Sequence, residues 1–195
     1  MIFGEEKVIY RYTKRLMDLV LSSLLLVITL PVMAVIAVVI SVNSSGPVMF
    51  KQQRVGHCGR SFLILKFRTM FVSSSGFGFK PESEEDPRVT PIGRFLRRSS
   101  LDELPQLINV IKGEMSLVGP RPEQPFLVER YETWQKSRLS VLPGMTGWWQ
   151  VNGRKQPMHD YVAEDLYYIE HRSILFDFYI MMRTIRVLWQ NNRVV

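Results

Sequence analysis

From about Leu19 to Val42 the chain has no charged residue, and nearly every position is apolar. About 20 such residues are enough for a helix to cross a bilayer. The run is too long for the ~7–15-residue apolar core of a signal peptide, and no small-residue cleavage site stands out. Two features complicate a plain crossing. Pro31 falls near the middle, where it removes a backbone hydrogen bond and bends a helix. Basic residues flank both ends, with Arg11, Lys14 and Arg15 before and Lys51, Arg54 and Arg60 after. A single span should show asymmetric charge, because Lys and Arg favour the cytoplasmic side. The symmetry fits a helix that enters, turns near Pro31 and returns to the same face. A kinked single-pass anchor fits too, since membrane helices tolerate proline. The residues alone leave both open.

After residue 45 no second run is long and uncharged enough to span. The sequence therefore divides into a membrane segment, 1–45, and a body, 46–195, on one side of the membrane. With 195 residues, the chain suffices for one domain with its own core. Its net charge of +7 suits anionic partners: lipid headgroups, a nucleotide diphosphate or nucleic acid. No basic-aromatic reading module supports nucleic acid. Cys58 is alone, which excludes an intrachain disulfide and fits a reduced, cytosol-facing setting.

The body reads as mostly helical with small extended pieces, an α+β composition. Val48 to Met70 reads as short extended pieces with a turn at Gly56–Gly59. Phe62 to Leu65 fits either a strand or a buried helical turn. Ser73 to Pro87 reads as a loop. Helical stretches are predicted over Pro91–Leu96, Leu101–Lys112, Glu123–Leu139, Tyr161–Tyr168 and Leu175–Gln190. Leu142-Pro143-Gly144, Thr146-Gly147 and Val151 to Arg154 read as turns. The last helix carries a polar stripe of Arg183, Arg186, Gln190 and Arg193 beside Trp189 and other apolar residues. It fits an interfacial amphipathic helix or an ordinary packed one.

The chemistry concentrates at Arg97-Arg98-Ser99-Ser100-Leu101-Asp102-Glu103. Ser100-x-x-Glu103 matches a capping box, so a helix start is the ordinary reading of the acidic pair. Pro105 fits a helix beginning nearer Asp102 better. The functional reading gives one carboxylate the role of nucleophile and the other that of base. Attack on a diphosphate by an anion needs a cation and nearby Arg or Lys to absorb charge. Mg2+ is suited, binding one or two carboxylates plus phosphate oxygens. Arg94, Arg97, Arg98 and Arg121 are candidate counter-charges, with Arg121 on the stiff Gly119-Pro120-Arg121-Pro122 backbone. Lys66 and Arg68 can reach phosphate or remain solvated. His57, His159 and His171 lack metal-like spacing, and no Gly-rich nucleotide loop is present.

Taken in order, several stretches resemble the bacterial sugar transferase family, the monotopic phosphoglycosyl transferases. They are Lys14–Asp18, Phe50–Gly56, Lys66–Met70, Ser100–Leu107, Asn109–Ser116, Val118–Pro122, Pro143–Trp148 and Gln150–Arg154. The resemblance covers about Lys14 to Leu188. It implies transfer of a sugar-1-phosphate from a UDP-sugar to polyprenol (undecaprenyl) phosphate, with release of UMP, at the cytoplasmic face of the bacterial inner membrane. It further implies Asp102 as nucleophile and Mg2+ contact, and Glu103 as the base acting on polyprenol phosphate. Arg97, Arg121, Lys66, Arg68, Asp165 and Asp177 are then expected near the substrates. The implied fold is a re-entrant helix broken at Pro31, with interfacial helices around a small catalytic body; a homodimer is allowed. The family break is often Ser-Pro, whereas this chain has Leu30-Pro31 with Thr29 one residue earlier. Larger relatives carry a further N-terminal membrane region, so the chain is expected to be the minimal catalytic form. The rival from another class is a non-catalytic, single-pass assembly factor that binds anionic lipid.

Overall fold

A computed structural model describes residues 2–72, 86–152 and 162–189. Most of the Ser73–Pro87 loop, Gly153, Arg154, His159, Tyr161, Gln190 and Arg193 lie outside these residues. The apolar segment belongs to one helix, α1 (Ile2–Asn43), and Pro31 lies inside it without ending it. Thr29 Oγ1 donates to Leu25 O at 2.7 Å, just before the proline. Much of the apolar surface of α1 is exposed, including Val27, Ile28, Leu30, Val35 and Val38. Water does not tolerate such a stripe, but a bilayer does. Among the described residues, this is the one helix long and apolar enough to cross a membrane.

Both halves of α1 also hold the body. Near its start, Arg15 donates to Val110 O at 2.7 Å and to Ile111 O at 2.9 Å. Those carbonyls end helix α3 (Gln106–Lys112), which closes on Gly113 at φ +84°. Asp18 accepts from Leu117 N at 3.1 Å. Beyond the proline, Ile36 and Ile40 are buried with Phe67 and Leu96. Leu104 packs against this second cluster and also against the main core, which Leu21 and Leu26 of α1 join.

Strands β1 (Met49–Val55) and β2 (Ser61–Phe67) form an antiparallel hairpin, with Met49 opposite Phe67 and Val55 opposite Ser61. Phe62 to Leu65 is thus strand, not helix. Its outer edge is closed by Asn109 of α3, whose amide donates to Leu63 O and accepts from Leu65 N. That side chain replaces the neighbouring strand the edge lacks. Helix α2 (Pro91–Ser99) starts at Thr90, which accepts from Gly93 N.

Three expectations are corrected. The Leu101–Lys112 stretch is a 3₁₀ turn (Leu101–Glu103) followed by α3, because Pro105 takes the position before the helix. The Glu123–Leu139 stretch is α4 (Pro125–Val128), α5 (Thr133–Lys136) and a 3₁₀ turn (Ser137–Ser140). Glu132 restarts the chain with a capping box to Gln135, and Tyr131 and Arg138 turn inward. Gly144–Thr146, read as turns, is strand β4, parallel to β3 (Ser116–Val118). A Cβ on Gly144 would lie 2.1 Å from Gly119 N, so only glycine lets these backbones approach. Helices α6 (Trp148–Asn152), α7 (Val162–His171) and α8 (Ile174–Trp189) complete the body.

Candidate active site

Ser100 decides how the acidic pair is presented. It ends α2 at φ +55°, in the left-handed region a serine occupies at a cost of roughly 1–2 kcal/mol. Its side chain makes no cap. The chain reverses there and enters the 3₁₀ turn, so the capping box predicted for Ser100 and Glu103 does not form. Glu103 turns elsewhere: its Oε1 accepts from Lys66 Nζ and from Arg121 Nη2, each at 2.8 Å. Burial opposes ionisation of Glu103, but Arg121 and Lys66 outweigh it and hold the carboxyl well below the usual range. Asp102, 8% exposed, faces the opposite balance. Burial pushes it up to about 6, against Lys66, while the charge on Glu103 adds to the rise. One neighbour is thus fixed as an anion and the other is a poorly solvated carboxyl.

The strand end and its continuation distribute three basic or polar groups. Lys66 reaches Glu103. Arg68 turns back to the end of α1, donating to Ser44 O at 2.6 Å and Ser44 Oγ at 3.0 Å. Thr69 Oγ1 accepts from Arg97 Nε at 2.9 Å, which orients Arg97 near Asp102. Lys66, Arg97, Asp102, Glu103 and Arg121 therefore converge. Arg68 caps a helix instead. Replacing it, as in Arg68→Met, is expected to lower stability by about 2–3 kcal/mol, measured as a fall in melting temperature.

Asp165 and Asp177 are each tied to partners of their own. Asp165 Oδ2 pairs with Arg138 Nη2 at 2.7 Å, and burial pushes Asp165 up to about 6 despite that partner. Asp177 Oδ2 accepts from Lys14 Nζ and Tyr10 OH, each at 2.9 Å, and its Oδ1 accepts from Tyr168 OH at 2.7 Å. Asp177 thus links α8 to the start of α1. Sequence reasoning missed Arg54, Thr69 and Arg138. Arg54 and Thr69 lie in the Phe50–Gly56 and Lys66–Met70 stretches, but no local pattern marks what they touch. Arg138 lay hidden in a stretch read as one helix.

Among the described residues, no group of three His, Cys, Asp or Glu side chains forms a metal cage. Asp102 is the buried carboxylate that could meet a cation, since Glu103 gives its Oε1 to Lys66 and Arg121.

The chain matches the bacterial sugar transferase family over residues 9–191 and belongs to it. It is 42% identical over 184 residues to the Escherichia coli K12 UDP-glucose:undecaprenyl-phosphate glucose-1-phosphate transferase, covering 90% of this chain and 40% of that protein. It is 39% identical over 193 residues to an Aeromonas hydrophila UDP-N-acetylgalactosamine-undecaprenyl-phosphate N-acetylgalactosaminephosphotransferase, covering 92% and 44%. The chain thus spans less than half the length of these two relatives. The Sinorhizobium fredii exopolysaccharide production protein ExoY is 36% identical over 189 residues, with 89% of this chain and 84% of that protein covered.

Proposed function

We propose that the protein transfers a sugar-1-phosphate from a UDP-sugar to polyprenol phosphate, releasing UMP, in two steps at Asp102. The observation that carries this reading is the pairing of a buried, raised carboxyl with three cations, Lys66, Arg97 and Arg121. Isolated, such a pair of acids would repel a diphosphate; set among these cations it can receive one.

In the first step an Asp102 oxygen attacks the phosphorus that bears the sugar. A P–O bond forms to Asp102, the bond to the α-phosphate breaks, and UMP departs with the electron pair. In the second, an oxygen of polyprenol phosphate attacks the same phosphorus and Asp102 leaves as a carboxylate. Glu103 is the group placed to accept the acceptor's proton, once its cations turn to phosphate oxygens. Lys66, Arg97 and Arg121 hold the charge that develops on the transferring group. A single carboxylate is what Mg2+ needs from the protein when diphosphate oxygens and water complete its shell, so Asp102 fits as its contact. When bound, Mg2+ would withdraw charge from the diphosphate.

We further infer that α1 is re-entrant, which keeps the body, residues 46–195, on one face of the inner membrane, the cytoplasmic one. Asp18 and Ile40 are separated by roughly 33 Å of helix, yet both are buried against the body. A bilayer-crossing helix would carry one of them to the far side. Exposed Leu175, Phe178, Met182, Ile185 and Trp189 give α8 an apolar surface that suits the interface. In a Cys58→Ser background, single cysteines at exposed Tyr12 and Ser45 are expected to react with an impermeant maleimide from the same side. Labelling from opposite sides refutes the re-entrant path.

Purified protein in nanodiscs, given polyprenol phosphate, Mg2+ and a panel of UDP-sugars, is expected to release UMP with at least one of them. Release with none would favour the non-catalytic lipid-binding reading.

A further inference from the structure

Pro120-Arg121-Pro122 has a problem that its own chemistry creates. Two of its three residues have no N–H, so the segment cannot lie in a sheet by mutual pairing. It still exposes three carbonyls, and these need donors from elsewhere. The body supplies one for each. Pro120 O accepts from Gly144 N at 2.8 Å. Arg121 O accepts from Arg138 Nη2 at 2.7 Å. Pro122 O accepts from Arg54 Nη1 at 3.2 Å. Two guanidinium groups therefore hold the successive carbonyls before and after the Pro122 ring.

Neither guanidinium is loosely placed. Arg138 is 2% exposed, and its Nη1 donates to Tyr131 OH at 2.5 Å while Asp165 neutralises its charge. Arg54 donates to Gln52 Oε1 at 2.6 Å and lies 3.6 Å from Glu123 Oε2. A rigid planar fork meets a carbonyl and an acid in fixed directions at once; the lysine ammonium, a compact charge on a flexible stem, does not fix that geometry. The next backbone bond, Val55 N to Glu123 O at 2.9 Å, ties the exit of the segment to β1.

We propose that Arg138 and Arg54 are positioning residues that act through the Arg121 and Pro122 carbonyls to aim the Arg121 guanidinium, and that Asp165 acts through Arg138. The inference rests on the functional reading above, in which Arg121 meets the transferring phosphate. It moves Asp165 from contact with substrate to support of the residue that makes contact. The physical gain is preorganisation: a donor already aimed at developing charge need not reorganise during the reaction.

The test is a double-mutant cycle on UMP release with the variants Arg138→Lys, Arg121→Lys and both together. Arg138→Lys is expected to lower kcat at least tenfold while changing donor KM less than threefold. In the Arg121→Lys background, the same change is expected to cost less than threefold, because the residue it aims is gone. The parallel cycle uses Asp165→Asn, which preserves shape if Arg138→Lys proves too unstable to purify. Wild type releasing UMP while the losses multiply would overturn this inference alone. Wild type releasing no UMP from any UDP-sugar would overturn the functional reading and this inference with it.

Discussion

Asp102→Asn is expected to abolish UMP release, with a loss on the order of 10⁴-fold or more, while leaving the fold intact. The amide matches the carboxyl in size but cannot form the acyl phosphate, so neither step can proceed through it. Glu103 does not replace it: Lys66 and Arg121 occupy its Oε1 at 2.8 Å each and hold it as a paired anion. The same substitution is expected to raise stability in metal-free protein. Burial pushes Asp102 up from 3.8 to about 6, so its ionisation is disfavoured in the fold. A raised carboxyl pKa favours the fold while the group is protonated, and that advantage is lost as pH rises through about 6. At pH 7.5 the native carboxylate is thus charged at a cost of up to about 3 kcal/mol, which asparagine avoids. A scan at pH 7.5 should show a higher melting temperature for Asp102→Asn, and one at pH 4 a much smaller difference. Lower activity with higher stability is the signature of a group kept for chemistry.

Asp177→Ala is expected to give the largest loss of stability, about 3–5 kcal/mol. The residue is fully buried and satisfies three donors at once: Tyr10, Lys14 and Tyr168. Removing it leaves the Lys14 ammonium, itself mostly buried, without its close partner. Breaking one side of a buried pair costs more than the pair is worth, because the remaining charge stays desolvated. Lys14 is 3.9 Å from Asp18, too long a contact to replace the lost 2.9 Å bond. The effect should concentrate on the join between α8 and the start of α1. Limited proteolysis is therefore expected to cut near residue 10 sooner than in wild type. Asp177→Asn, which keeps one acceptor oxygen and the shape of the side chain, should recover part of the loss. Equal melting temperatures for wild type and Asp177→Ala would refute the anchoring role.

What the sequence made legible was whatever depended on local pattern. The apolar run gave α1, Pro91 and Lys112 fell within helices, and the order of short motifs identified the family. The acidic pair and its cations stand out in the sequence, and Lys66, Arg97, Asp102, Glu103 and Arg121 lie together in the fold. What remained hidden depended on long-range contacts. The capping box at Ser100 was plausible by spacing, yet Glu103 is drawn to Lys66 and Arg121, 37 and 18 residues away in the chain. Gly144–Thr146 looks like turn punctuation in the sequence because Gly144 and Gly147 bracket it. They serve close backbone approach to Gly119, which only the pairing partner reveals. Arg68 has the charge to bind phosphate, but the open end of α1 takes it. Asp165 and Asp177 were placed near the substrates by resemblance; their partners here are Arg138 and Lys14. A charge in a sequence does not declare which unsatisfied carbonyl or buried ion will claim it.

In the proposed mechanism Asp102 carries the transferring group. Intact-protein mass spectrometry after brief incubation with a UDP-sugar that supports UMP release, with Mg2+ and no polyprenol phosphate, tests it most directly. The expected result is a gain equal to one sugar phosphate less one water, located by peptide mapping on Asp102 and lost when polyprenol phosphate is added. UMP release without such an adduct, or an equal adduct on the Asp102→Asn protein, would contradict it.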